Sequence, residues 1–331
     1  LRKNLKKAND KGFTYYVSPE LEYFYFKTPQ STQLLDSSGY FDQENSDLGT
    51  DLRRETVLTL EELGIPVASS HHEAAPSQHE IDLRHTDALT MADTVMTYKT
   101  VVKEIAMKHG YFASFMPKPV SDINGSGMHT NISLFKGDEN IFFSSSENHN
   151  ISETARQFCA GLLYHAREIT LVTNQWVNSY KRLVPSYEAP TYITWAEVNR
   201  SDLIRIPSYK EGRELSRRIE YRAPDPACNP YLAFSVILAA GLEGINKKYT
   251  LPTSFEKNVH AMSSIDRENE GIESLPQNMW EAIQITENSS LVKNSLGEQV
   301  FNSFIKNKKI EWEAYSSQVS QYELDRYLTM L

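Results

Sequence analysis

Hydrophobic positions recur at helical spacing along much of the chain, and these segments predict helices. Segment 87–109 shows the pattern most clearly, because its apolar residues share one helical face and Gly110 follows the last turn. The residues of that face are Met91, Val95, Val102, Ile105 and Ala106. The same reasoning predicts helices over residues 46–63, 153–174 and 230–242, and a helical tail from about residue 276 onward.

Other segments are rich in β-branched and aromatic residues or alternate in polarity, which predicts strands. These segments are 11–27, 65–70, 79–84, 111–115, 128–135, 192–195 and 217–222. Predicted strands and helices mix without strict alternation, which favours an antiparallel or mixed sheet packed against helices. Neither GxGxxG nor GxxxxGK[ST] occurs, so the sequence does not support a Rossmann or P-loop nucleotide site.

Three predicted strands gather polar side chains on one face, because residues two apart in a strand point the same way. The three sets are Glu20 with Glu22, His129 with Asn131 and Ser133, and Arg218 with Glu220 and Arg222. A sheet with one solvated face would show the same alternation. The pattern alone therefore leaves a solvated surface and a binding site both open.

Further carboxylates lie in segments 70–73 and 78–80, on either side of the turn-forming residues Pro76 and Ser77. Hard divalent cations such as Mg²⁺ and Mn²⁺ prefer several carboxylate oxygens. Glutamates with one histidine suit these ions and suit zinc poorly. A metal site is the resulting hypothesis, and it requires segments that are distant in sequence to converge.

Arginines in the second half of the chain are candidates for anion binding. Arg182 and Arg200 lie in polar segments, whereas Arg205 lies between Ile204 and Ile206. Guanidinium groups suit bidentate contacts with carboxylate and phosphate. Surface arginine is the alternative for each residue taken singly, but a cation between apolar neighbours needs an anionic partner or access to water.

Composition narrows the class of protein. The chain has 331 residues, with 40% hydrophobic and 23% charged residues, which is ordinary for a soluble globular protein. Its net charge of −9 disfavours nucleic acid and acidic membrane surfaces as partners, and no run of eighteen apolar residues occurs. Cys159 and Cys228 lack CxxC spacing, which argues against a zinc cluster or disulfide framework and favours a cytoplasmic location.

Several short segments resemble, in order and spacing, the signature segments of type I glutamine synthetase. They are PELE at 19–22, HHE at 71–73, QHE at 78–80, NGSGMH at 124–129, KRLVPSYEAP at 181–190, residues 199–207, EYRAPDP at 220–226 and NPY at 229–231. The resemblance extends from about residue 12 to the end of the chain.

The resemblance implies an α+β fold, the glutamine synthetase/guanido kinase-like catalytic domain. In that fold a curved, mostly antiparallel sheet forms a funnel-like half-barrel backed by helices. Residues 1–331 would form this single domain, and the β-grasp domain that precedes it in the family would be missing from the chain. The family also implies a homo-oligomer, a dodecamer, with active sites between subunits.

The implied activity is ATP-dependent ligation of ammonia to glutamate through γ-glutamyl phosphate, with two or three Mg²⁺ or Mn²⁺ ions per active site. By motif position, one metal would be held by Glu22, Glu73 and Glu80, and a second by Glu20, His129 and Glu220. Phosphate-facing groups would be Arg200, Arg205, Arg218 and Arg222, with Asn131 and Ser133 near the nucleotide. Glutamate would contact Asn124, Gly125, Arg182 and Arg222. The catalytic groups would be Arg200, Arg222 and Glu188, the last on a flap that binds and deprotonates ammonium.

Two features of the chain depart from the family pattern, and two other functions stay open. Ser77 and Ser186 stand where the family usually has glycine, and serine could stiffen these loops or forbid a positive φ. A γ-glutamyl-amine or polyamine ligase of the same fold is one alternative, since few groups set acceptor specificity. A non-catalytic paralogue with a binding or structural role is the other, although the filled motif positions disfavour it.

Overall fold

A single sheet of ten strands organises the residues that the computed structural model describes, which are 1–42, 48–185, 188–199 and 201–331. The strands are β1 (Thr14–Phe26), β2 (Val67–His72), β3 (Gln78–Leu83), β4 (Thr86–Asp87), β5 (Phe112–Ser114), β6 (Met128–Lys136), β7 (Glu139–Asn140), β8 (Trp195–Ala196), β9 (Ile204–Arg205) and β10 (Ile219–Tyr221). The main path runs β2-β3-β1-β6-β10-β9-β8. Among the described strands, only β8 and β9 pair in parallel, which confirms the predicted mixed, mainly antiparallel sheet of an α+β fold.

Twelve α-helices surround the sheet within the described ranges. They are α1 (Arg2–Asn9), α2 (Leu48–Glu62), α3 (Ala88–Lys108), α4 (Glu153–Tyr164), α5 (Ala166–Thr173), α6 (Ser179–Arg182), α7 (Pro230–Lys247), α8 (Ser264–Asn269), α9 (Met279–Glu287), α10 (Ser290–Leu296), α11 (Glu298–Ser316) and α12 (Gln321–Tyr327). No helix in this part of the chain combines the length and apolarity needed to span a membrane.

The register of β1 sets the polar face of the sheet. Glu20 lies opposite Asp82 of β3 and His129 of β6, and Glu22 lies opposite Glu80 of β3. Directly opposed residues in adjacent strands point to the same face. The pairing therefore collects these five side chains on one side of the sheet.

Strand β10 extends the same polar face. Glu220 lies opposite Asn131 of β6 and opposite Arg205 of β9. The carboxylate of Glu220 is thus two strands away from β1 and next to a guanidinium that belongs to the neighbouring strand.

The other face of the sheet packs into the hydrophobic core. Leu21, Ile81 and Ile132 are buried there together with Val95 and Val102 of α3. Burial of this apolar surface is the main contribution that stabilises the layer of helices against the sheet. The alternation of β1 thereby separates Glu20 and Glu22 from the core, and beyond Glu22 the same face carries the buried Phe24 and Phe26.

One predicted helix is two helices. The prediction of a single helix over residues 153–174 is wrong, because α4 ends at Tyr164 and α5 begins at Ala166. His165 lies between them with φ −98° and ψ 7°, outside the helical range. Its Nδ1 lies 2.8 Å from Glu168 Oε1, a contact that holds the ring beside the first turn of α5.

Smaller differences concern one helix that was not predicted and the ends of predicted elements. The polar sequence RKNLKKAN gives little hydrophobic signal for α1, which the pattern does not predict. The strand predicted over 192–195 is limited to Trp195–Ala196. The first residues of the helix predicted over 46–63 lie outside the described ranges.

Ser77 takes up a backbone conformation that its side chain was expected to oppose. Its φ is 61°, so the expectation that serine forbids a positive φ here is wrong. The Ser77 hydroxyl accepts hydrogen bonds from the backbone N–H groups of Leu35 and Asp36. These bonds, which glycine could not accept, offset the strain. Ser186 lies outside the described residues.

Two glycines allow α4 and α7 to pack closely. A Cβ added to Gly161 of α4 would lie 2.2 Å from the carbonyl oxygen of Ala240 and 3.0 Å from the Cα of Gly244, both on α7. Backbone atoms at such distances cannot move aside without separating the helices. The contact between these two helices therefore requires the missing side chain.

We expect Gly161→Ala to lower the melting temperature although alanine favours helix by about 1 kcal/mol. The added methyl group overpacks the contact, at a cost of roughly 1–3 kcal/mol or more in the free energy of unfolding. Thermal unfolding followed by circular dichroism measures the change. Ser303→Ala on the exposed side of α11 is the control and should be neutral. A melting temperature of Gly161→Ala at or above wild type would contradict the packing argument.

Candidate active site

One cavity of about 400 Å³ opens on the polar face of the sheet. The six predicted metal ligands all line it: Glu20, Glu22, Glu73, Glu80, His129 and Glu220. So do six residues predicted to bind substrate or phosphate: Asn124, Gly125, Arg182, Glu188, Arg205 and Arg222. The fold thus brings together segments that are up to 202 positions apart in the sequence, from Glu20 to Arg222.

Three ligand-type residues from three strands form a cluster at one end of the cavity. Glu20, His129 and Glu220 each offer an atom within 4.8 Å of the others. His129 Nδ1 lies 3.3 Å from Glu20 Oε2 and 3.8 Å from Glu220 Oε1. This is the grouping expected for one of the two metals.

The other predicted metal set is arranged differently. Glu80 forms a group of ligand atoms within 4.8 Å with His71 and Asp82. Glu73 Oε1 lies 2.8 Å from His71 Nε2, and Glu22 accepts hydrogen bonds from the Gly127 N–H and from Gln78. Glu22, Glu73 and Glu80 therefore share the cavity, and their assignment to a single metal stays a prediction.

Charge is crowded on the β1–β3 side of the cavity. Burial, and secondarily Glu73, raises the pKa of Glu22 to about 8, although Arg182 and the Gly127 N–H oppose this. Burial together with the nearby Asp82 and Glu22 raises the pKa of Glu80 well above its usual value. Burial and repulsion between these carboxylates therefore outweigh the compensating charge of Arg182.

The imidazole of His129 is suited to ligation. Burial, reinforced by the charge of Arg222, holds its pKa well below the usual value, so the ring is neutral. A neutral ring nitrogen among carboxylate oxygens matches the ligand preferences of Mg²⁺ or Mn²⁺ better than those of a sulfur-seeking ion. The residues present fit a hard divalent cation.

Two arginines neutralise the buried carboxylate of Glu220. Arg205 Nε lies 2.6 Å from Glu220 Oε2, and Arg222 Nη1 contacts the other oxygen. Glu220 is 0% exposed, and a buried carboxylate without partners would be strongly destabilising. The two guanidiniums therefore lie at the cavity wall, where their contacts with Glu220 hold them.

Arg182 is held by backbone carbonyl groups. Its Nη1 donates to the carbonyl of Ala223 at 2.7 Å, and its Nη2 donates to that of Arg222 at 3.2 Å. A Cβ on Gly125 would lie 2.3 Å from the carbonyl oxygen of Pro117, so that position of the cavity wall requires glycine. The predicted glutamate contacts of Arg182 and Gly125 stay predictions.

A hydrogen bond links Glu188, on the predicted flap, to Asn124 of the cavity lining. Asn124 Nδ2 donates to Glu188 Oε2 at 2.9 Å. Glu188 has a φ of 54°, an uncommon conformation for a residue with a side chain. The contact connects the predicted ammonium site with the predicted glutamate site.

Three predicted residues within the described ranges, Asn131, Ser133 and Arg218, do not contribute to the lining of the cavity. Asn131 donates to Glu20 Oε1 at 2.7 Å and accepts from Arg218 Nε at 2.8 Å, which ties Arg218 to the Glu20 cluster. Arg200 lies outside the described residues.

The chain is similar in sequence to known enzymes over its whole length. Residues 1–327 match the family model for the catalytic domain of glutamine synthetase. The chain belongs to the glutamine synthetase family. Glutamine synthetase of Mycolicibacterium smegmatis is 50% identical over all of this chain and 75% of its own length. Glutamine synthetase of Staphylococcus aureus is 48% identical over 99% of this chain and 74% of its own length.

Solved structures of the same family share the fold. A GmaS protein in complex with ADP superposes with a TM-score of 0.90 at 31% identity, over 99% of this chain and 76% of its own. Glutamine synthetase of Plasmodium falciparum superposes with a TM-score of 0.87 at 25% identity, over 98% of this chain and 78% of its own.

Within this glutamine synthetase family site, the sequence pattern gave no role to four polar lining residues: Tyr40, His71, Gln78 and Asp82. Asp82 and His71 had a signal, because they lie two positions from Glu80 and Glu73 and alternation places each pair on one face. Gln78 lies in a recognised motif but donates to Glu22, a partner from another strand. Tyr40 comes from a loop, where the sequence carries no periodicity.

Titration with Mn²⁺ tests the metal site of the full-length gene product. We expect two bound ions per wild-type chain. Glu220→Gln should raise the dissociation constant of one ion by more than about 100-fold, which is more than the loss of a residue that only supports a ligand would cause. Electron paramagnetic resonance of free Mn²⁺ measures both affinities. Glu139→Gln, an exposed carboxylate on β7, is the control. Two ions of unchanged affinity in Glu220→Gln would refute the assignment of this residue.

Proposed function

We propose that this chain, as one catalytic domain over residues 1–331, carries the site that joins ammonia to glutamate with ATP and forms glutamine through γ-glutamyl phosphate. The supporting observation is the convergence of Glu20, His129 and Glu220 with Arg205 and Arg222 at one cavity. The 50% identity with glutamine synthetase of Mycolicibacterium smegmatis supports the same reaction.

The first step transfers a phosphoryl group. An oxygen of the glutamate γ-carboxylate forms a bond to the γ-phosphorus of ATP while the bond to the ADP oxygen breaks. Catalysis of such transfers is mainly positioning and neutralisation of charge. Arg205 and Arg222 supply fixed positive charge at the cavity wall, and bound Mg²⁺ or Mn²⁺ would supply more at the phosphate oxygens.

The second step forms the amide. The ammonia nitrogen bonds to the acyl carbon, phosphate leaves, and the nitrogen loses a proton. Glu188 is the candidate acceptor of that proton, because its carboxylate lines the cavity on the flap side. Its carboxylate accepts a hydrogen bond from Asn124, and closure of the flap over the acyl phosphate would keep water out.

The proposal also covers four residues predicted to face the nucleotide, and the assembly of subunits. Asn131, Ser133, Arg200 and Arg218 would contact the nucleotide. Active sites would form between subunits of a homo-oligomer, a dodecamer in the family. The cytoplasmic location also stays a prediction.

Ligation of an amine in place of ammonia is the second candidate. The GmaS structures are favourable to it, since one superposes with a TM-score of 0.90. The higher identity with proteins named glutamine synthetase, 50% against 31%, favours ammonia.

We expect the full-length gene product to release phosphate from ATP only when Mg²⁺, glutamate and ammonia are all present. Glu220→Ala should lower kcat at least about 100-fold, because it removes a charged group that orients the metal and the arginines. A colorimetric phosphate assay measures both rates, with Glu139→Ala as the control. Turnover of Glu220→Ala at the wild-type rate would count against the metal assignment.

Acceptor specificity separates the ligase candidates. Ammonia should give a higher kcat/KM than ethylamine or putrescine in the same assay. A preference for either amine would replace the proposal with an amine ligase. A lack of phosphate release with all three nitrogen donors would point to a non-catalytic paralogue.

A further inference from the structure

A buried polar network lies on the side of the β2–β3 pair that faces away from the cavity. His72 lies opposite His79 in the register, their ring centroids are 4.6 Å apart, and both are fully buried. Asp36 joins them, with Oδ1 3.0 Å from His72 Nε2 and Oδ2 3.5 Å from His79 Nε2. One carboxylate from a loop thus contacts both strands.

The same carboxylate fixes the turn between the two strands. The Ser77 N–H donates to Asp36 Oδ1 at 2.8 Å. In return, the Ser77 hydroxyl accepts from the backbone N–H of Asp36 at 2.8 Å. Since Ser77 has a positive φ, this exchange of hydrogen bonds holds the turn in a conformation that serine adopts at a cost.

A cation between Asp36, His72 and His79 is the obvious alternative, because their ligand atoms lie within 4.8 Å of one another. Arg53 argues against it. Its Nη1 lies 2.6 Å from His79 Nδ1, and a guanidinium can only donate. His79 Nδ1 is therefore the acceptor, the ring proton is on Nε2 facing Asp36, and an N–H cannot bind a metal. The contact of His79 Nε2 with Asp36 Oδ2 at 3.5 Å is electrostatic, and the closer contacts of Asp36 are those with His72 and Ser77.

Each partner of Asp36 is next in sequence to a residue that lines the cavity. His72 lies between His71 and Glu73, Ser77 precedes Gln78, and His79 precedes Glu80. His72 Nδ1 also lies 2.7 Å from the carbonyl oxygen of Glu73. Because successive side chains of a strand point to opposite faces, a fixed backbone at the partners fixes the direction of these neighbours.

The other cluster of the cavity is supported by different elements. Glu20, His129 and Glu220 belong to β1, β6 and β10. They contact one another, Asn131 and the arginines Arg205 and Arg222. The two sides adjoin, since Glu20 lies opposite Asp82 and His129 Nε2 lies 3.8 Å from Glu22 Oε1. The contacts of Asp36, however, are with the β2–β3 side.

We infer that Asp36 is a positioning residue that orients the side chains of β2 and β3 for cation binding, and that it acts on the Glu80 side of the cavity and spares the Glu20–His129–Glu220 cluster. The inference rests on the metal site of the proposed function. It adds to the site a loop residue that does not itself line the cavity.

Asp36→Asn tests this inference with minimal change of shape. The amide keeps one oxygen acceptor, but its nitrogen cannot accept from a second N–H donor. In Mn²⁺ titrations of the full-length gene product, we expect the dissociation constant of one ion to rise about 10- to 100-fold. The dissociation constant of the other ion should change less than about twofold.

Asn4→Ala is the matched control for loss of stability. Asn4 is fully buried on α1 and donates to the carbonyl of Ser295 at 2.9 Å, outside the cavity lining. It should lower the melting temperature and leave both Mn²⁺ affinities unchanged. If Asp36→Asn fails to fold, His72→Phe carries the same expectation, because the apolar ring fills the buried space but cannot contact Asp36 Oδ1 as a hydrogen-bond donor.

The possible results separate the inference from the proposed function. Unchanged affinities in Asp36→Asn, or equal weakening of both ions, would overturn the positioning role. A wild-type protein that binds no Mn²⁺ would instead overturn the metal site itself.

Discussion

The burial of like charges on one face of the sheet is the constraint on which the cavity depends. Glu22, Glu80 and Glu220 are all buried, and a buried carboxylate needs a positive partner or a proton. The number of positive partners differs from one carboxylate to the next. Glu220 has two guanidiniums against it, whereas the pKa of Glu22 and that of Glu80 are both raised by burial and neighbouring carboxylates.

That inequality divides the cavity into two kinds of site. At the β10 end, positive charge is built into the sheet by Arg205 and Arg222, so an anionic group can approach a carboxylate-rich region without net repulsion. At the β3 end, burial and neighbouring carboxylates raise the pKa of Glu22 and that of Glu80, so a cation bound there would stabilise their charged forms. A cation at the Glu20–His129–Glu220 cluster would instead add to the positive charge that the two arginines already supply.

A site residue can be predicted from the sequence when the pattern that identifies it lies within one segment of the chain. Alternation along β1, β6 and β10 is a local property, and by itself it assigns Glu20, Glu22, His129 and Glu220 to polar faces. The same rule applied to Glu80 would have found Asp82. The strand pairing that brings these faces together is non-local, and no spacing within the chain encodes it.

Contacts made by loops carry no such periodicity. Asp36 lies in an irregular segment and acquires its role only from the positions of His72, Ser77 and His79. The break at His165 is similar, since the apolar pattern continues through residues that the backbone does not keep in one helix. In neither place does the hydrophobic pattern alone predict what the structure shows.

The choice of nitrogen donor depends on loops as well. Sheets of related ligases superpose closely, as the TM-score of 0.90 with GmaS shows at 31% identity. Reaction class can therefore be common to the fold, while acceptor size is decided by the few groups that close the cavity. In this chain Asn124 donates to Glu188 at the cavity lining. Because Glu188 comes from a loop, its position depends on contacts that the pairing of strands in the sheet does not set.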